Sequence, residues 1–122
     1  MSDNCEMEVI ADCVKIAAKY FPMADWDCLS IDTMKADDYI GDSITALTSW
    51  DSDGNCKITL MDSIANETDL RDTMAHELAH FVMGELYTET HNARPHGAEW
   101  FAVYCVFQRD MIWIEYYPED WK

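Results

Sequence analysis

Apolar side chains recur at Val9, Ile10, Cys13, Val14, Ala17 and Tyr20. This three-and-four spacing turns one face of a helix toward a core. Pro22 stands just beyond, so the pattern predicts an N-terminal helix from Asn4 to Tyr20. Leu29 and Ile31 suggest a short strand within Asp27 to Met34. Ile44 to Trp50 and Cys56 to Met61 form the clearest strand pair. The turn residues Asp51-Ser52-Asp53-Gly54-Asn55 lie between them and predict a hairpin. Ala36-Asp37-Asp38 reads as a solvated loop.

A second helix is predicted from Asp69 to Leu86. Met74, Leu78, Val82 and Leu86, with Ala75, Ala79 and Met83 beside them, give it a wide apolar stripe. Thr68 is its expected cap, and Asp69 and Asp72 suit its positive end. Tyr87 to Pro95 is a polar connection. A last helix starts near His96 or Gly97 and passes through Trp100, Phe101, Tyr104, Cys105 and Phe107 to Met111. The aromatic tail from Ile112 to Lys122 predicts no element.

These elements span 122 residues, a length that fits one domain over residues 1–122. Charge narrows what such a domain meets. Against 24 Asp and Glu stand 8 Lys and Arg, for a net charge of −16. That field repels a phosphate backbone, so nucleic acid is disfavoured as a partner, and so is an anionic membrane surface. No apolar run is long enough to span a bilayer, and the acidic N-terminus has no secretory pattern. The cysteines, Cys5, Cys13, Cys28, Cys56 and Cys105, are odd in number and form no CxxC pair. Reduced, mostly buried thiols in a cytoplasmic protein are expected. Asn66-Glu67-Thr68 then matches a glycosylation sequon only by chance.

The chemistry lies inside the second helix, at His76-Glu77-Leu78-Ala79-His80. Histidines at i and i+4 share one helical face, with Cβ atoms about 6 Å apart, so both imidazoles can reach one zinc ion. Glu77 is rotated from the metal axis. It is placed to hold a zinc-bound water and take its proton during attack on a carbonyl. Two polar ligands on a core-facing helix need such a partner. The turn Asp51 to Asn55 offers a rival metal site but fails as a calcium loop. Cys56 stands where the loop needs glycine, and Asp62 where it needs glutamate.

A catalytic zinc site requires a third protein ligand and an open position. The elongated metzincin pattern fails, since Met83 and Leu86 occupy its glycine and histidine positions. His91, His96 and Glu99 remain as candidates. His96 enters the last helix in Arg94-Pro95-His96-Gly97-Ala98-Glu99-Trp100 and can be aimed back at the first pair. Glu99, one turn later, is the alternative third ligand, or a helix-start residue. His91 in the polar connection is more readily solvated.

The motif His76-Glu77-Leu78-Ala79-His80, followed sixteen positions after His80 by His96-Gly97-Ala98-Glu99-Trp100, resembles the SprT-like zinc metallopeptidases. Trp100 stands where that family has an aromatic, and the hairpin falls where it has strands beside the active-site helix. The resemblance implies His76, His80 and His96 as zinc ligands and Glu77 as catalytic base. It also implies an α+β, zincin-like core of the minimal gluzincin type. Such a core has an N-terminal helix, a three-stranded sheet with a hairpin, an active-site helix and a C-terminal helix. Larger members carry a zinc ribbon with paired cysteines, which these residues lack. The expectation is therefore the peptidase core alone, with the charge opposing any DNA-directed role.

Zincins of this architecture lay an extended substrate along an edge strand. Cys56 to Met61 is the expected edge. Tyr87, His91, Arg94 and Tyr104 are candidate substrate or transition-state contacts. Two functions follow. One is a zinc-dependent peptidase, probing protein or peptide substrates. The other is a catalytically weak zinc-binding regulatory or interaction module on the same fold.

Overall fold

The computed structural model describes residues 3–35, 45–64, 66–87 and 97–113. Among them the order is α1 (Asp3–Tyr20), β1 (Leu29–Met34), β2 (Ala46–Trp50), β3 (Cys56–Met61), α2 (Glu67–Tyr87) and α3 (Ala98–Gln108). A 3-10 turn, Trp26–Cys28, leads into β1, and a π-helical turn, Arg109–Trp113, continues α3. This is an α+β fold with a mixed three-stranded sheet. The loop at Ala36-Asp37-Asp38 and the segment from 88 to 96 lie outside the described residues.

The strand order is β1-β3-β2, which corrects the placing of Cys56–Met61 at an edge. β3 pairs in parallel with β1, Ile31 opposite Ile58, and antiparallel with β2, Thr48 opposite Ile58. Its side chains explain the central position: Cys56, Ile58, Thr59, Leu60 and Met61 are all buried, and only Lys57 is exposed. A near-continuous apolar run suits a strand covered on both faces, whereas an edge strand alternates.

The hairpin turn is held by one carboxylate. The backbone N–H groups of Asp53 and Asn55 each donate to Asp51 Oδ1 at 2.9 Å. Gly54 supplies the left-handed backbone, φ 87°, that closes the turn.

α2 is the central helix. Leu70, Met74, Ala75, Leu78, Ala79, Phe81, Val82 and Met83 are buried, so it is apolar around most of its circumference rather than along one stripe. α1 packs on it through Val9, Cys13 and Ala17, and α3 through Trp100 and Phe107. The cap differs from expectation. Asn66 Oδ1 accepts the N–H of Asp69 at 2.8 Å, and Asn66 Nδ2 donates back to Asp69 Oδ2 at 3.1 Å. Asn66, not Thr68, therefore stands at the N-cap, because the helix begins at Glu67 and Thr68 already lies inside its first turn.

β2 meets α2 at a close approach. Trp50 stacks on Phe81 with ring centres 5.7 Å apart, and a Cβ on Gly84 would fall 2.5 Å from Trp50 Cζ2. The glycine lets the indole reach the helix. Among the described residues no helix is long and apolar enough to cross a membrane.

Candidate metal-binding site

Asp72, His76 and His80 follow one another at intervals of four along α2, so they share a face. The Nε2 atoms of His76 and His80 are 3.3 Å apart, with ring planes 68° apart. A tetrahedral zinc ion with Zn–N bonds of about 2.0–2.1 Å sets its ligand nitrogens about 3.3–3.4 Å apart. The observed spacing fits that donor geometry.

Both imidazoles lean on Trp100 of α3. The indole stacks on His80 at 5.2 Å and meets His76 edge-on at 4.8 Å. Its Nε1–H donates to the His76 carbonyl oxygen at 3.3 Å. Tyr104, one turn further along α3, stacks on Trp100 at 5.1 Å and reaches His76 at 5.8 Å. Its hydroxyl donates to Asp72 Oδ1, and Gln108 Nε2 donates to the same oxygen at 3.0 Å. Burial, and then Asp72, push the Tyr104 phenol well above its ordinary range. Asp72 was expected to serve the helix dipole; it instead ties α2 to α3 behind the histidines.

Glu77 is 6% exposed. Its carboxylate Oε2 accepts a hydrogen bond from the Thr48 hydroxyl, and its backbone carbonyl lies 3.4 Å from the same oxygen. A carboxylate so enclosed needs polar partners to remain ionised. Thr48 had not been singled out from the sequence. The signal was present: it is the polar member of the alternating set Ala46, Thr48 and Trp50, whose last member faces α2.

His91, Arg94 and His96 lie outside the described residues, and so do the side chains of Leu86 and Tyr87. Glu99 is exposed on the first turn of α3. Among the described residues, the one trio of candidate metal donors lying within 4.8 Å of one another is Asp25, Cys28 and Glu85. It does not include Glu99. There the Glu85 carboxylate already accepts the Asp25 N–H at 2.8 Å, which fastens the 3-10 turn to the end of α2.

The family model described as the SprT-like family matches residues 20–110, most of the chain. No curated protein and no solved structure matches it.

Proposed function

Because this chain belongs to the SprT-like family, and its two motif imidazoles stand at zinc-ligand spacing, we propose that it is a zinc-dependent metallopeptidase. In this reading His76, His80 and His96 hold the metal, and Glu77 is the general base. The observation that carries it is the 3.3 Å separation of the two Nε2 atoms on one face of α2. A zinc ion held by these histidines would supply Lewis acidity to activate water and polarise the scissile carbonyl. Glu77 takes a proton from the attacking water and returns it to the leaving amine. Its low exposure and its hydrogen bond from Thr48, which restrict where the carboxylate can reach, support that role. Trp100 keeps both imidazoles in one orientation.

The substrate in this reading is an extended peptide lying along β2. Its outer edge has no strand partner among the described residues, and main-chain hydrogen bonds there give affinity. Leu47 and Trp50, both partly exposed, offer apolar contacts beside it. The net charge of −16 opposes nucleic acid as a partner.

The test combines metal content with cleavage. The protein should carry about one zinc per chain, as a single catalytic site requires. His76→Ala should lose the metal, and Glu77→Gln should keep it and lose cleavage. Loss of zinc in His96→Ala but not in Glu99→Ala supports the histidine as third ligand. Undiminished hydrolysis by Glu77→Gln overturns the mechanism. A zinc-loaded wild type that cleaves no peptide favours the regulatory or interaction module.

A further inference from the structure

The side chain of Thr48 faces α2 from the middle of β2. Thr48 touches Glu77, and Trp50, two residues on, touches Phe81 and lies over Gly84. Two strand residues rise about 6.6 Å and four helical residues about 6 Å, so β2 and α2 run side by side in one direction. That alignment brings the threonine hydroxyl to the one buried carboxylate among the described residues of α2. A hydroxyl has a single proton to donate. Of its two acceptors on Glu77, the side-chain oxygen Oε2 lies nearer the hydroxyl than the backbone carbonyl does, and it takes the proton. The hydroxyl therefore fixes one oxygen of Glu77 against the strand.

We propose that Thr48 is a positioning residue for Glu77, holding its carboxylate in a single orientation against β2. The proposal rests on the reading of Glu77 as general base. It gives β2 two tasks: its outer edge receives the peptide, and its inner face aims the base. A valine at this position would fill nearly the same space and leave the carboxylate free to turn. A general base displaced by about 1 Å can lose about 100-fold in rate while binding is unaffected.

Three variants test this on the full chain, each with and without zinc: Thr48→Val, Thr48→Ser and Thr48→Ala. Three-bond NMR couplings report the Glu77 side-chain rotamer directly. Wild type and Thr48→Ser should show one rotamer, and Thr48→Val should show averaging. If the valine variant does not fold, Thr48→Ala removes the same hydroxyl and is read in the same way. In cleavage assays Thr48→Val should lower kcat about 10–100-fold, with KM within about two-fold of wild type and zinc affinity unchanged. Thr48→Ser should restore most of the rate. A single Glu77 rotamer in the variants lacking the hydroxyl overturns the proposal. So does an unchanged kcat, or a serine variant as slow as valine. A wild type that cleaves nothing defeats the peptidase reading alone, and the rotamer measurement then decides the role of Thr48 by itself.

Discussion

The indole of Trp100 stacks on the imidazole of His80, ring centres 5.2 Å and planes 24° apart, while its N–H donates to the carbonyl oxygen of His76. One side chain of α3 therefore restrains both motif histidines of α2. Groups that orient metal ligands typically contribute 10–100-fold in metal affinity. Trp100→Ala should weaken zinc binding by about that factor, and Trp100→Phe, which keeps a ring in the stack, by less. Competition with a chromogenic chelator measures both. Equal zinc affinity in wild type and Trp100→Ala would remove Trp100 from the site.

Gly84 sits under the Trp50 indole, where an added Cβ would lie 2.5 Å from Cζ2. Alanine in a helix interior is ordinarily favoured over glycine by about 1 kcal/mol. Here the methyl must displace a ring already stacked on Phe81, and overpacking of that kind costs about 1–3 kcal/mol. Gly84→Ala should therefore destabilise the protein in urea unfolding. In a Trp50→Ala background the same change should become stabilising, since the obstacle is gone and only the helix preference remains. The same sign in both backgrounds would show that the contact does not set the choice of glycine.

The thiols should separate by environment. Burial pushes Cys13 up to about 12, against the pull of the Arg71 guanidinium, and pushes Cys56 up to about 12 as well. A thiol at that value holds on the order of 10³-fold less thiolate at pH 8 than an ordinary one, and the thiolate is the reactive species. Cys105 is exposed on α3. Alkylation of the native protein followed by peptide mapping should label Cys105 while sparing Cys13 and Cys56 until urea unfolds the chain. Comparable early labelling of Cys13 would contradict the packing of α1 on α2.

Local order was the legible part of this fold. The three-and-four spacing through Cys13 and Ala17 marks α1, the turn Asp51 to Asn55 marks the hairpin, and the motif falls on the helix its periodicity predicts. The strand order was harder, because the parallel pairing of β1 with β3 joins residues such as Ile31 and Ile58 that no local turn connects. The run Ile58-Thr59-Leu60-Met61 does carry the signature of a central strand, and the alternation at Cys56-Lys57 obscured it. At the site, helical spacing alone brings His76 and His80 together. Thr48 reaches Glu77 only through the packing of β2 on α2, a tertiary fact outside any local pattern. Asp72 was readable in principle, standing four residues before His76 on the same face, but its partners Tyr104 and Gln108 come from another helix.

The hairpin turn gives a pH dependence with a definite sign. Asp51 accepts hydrogen bonds from the backbone N–H groups of Asn55 and Asp53, and these hold its carboxyl below the ordinary value of 3.8. Such bonds favour the ionised form in the folded state, while the unfolded chain offers no equivalent. A folded value below the unfolded one means that the stabilisation is fully present above about pH 4. It is lost as the pH falls through the depressed folded value, where both states carry the proton. Asp51→Ala removes the acceptor at every pH. Wild type should therefore have the higher urea midpoint at pH 6, and the difference should shrink as the pH is lowered past 3.8 toward the depressed value. A difference that stays constant over that range would mean that the variant acts through the backbone of the turn and not through the charge on Asp51.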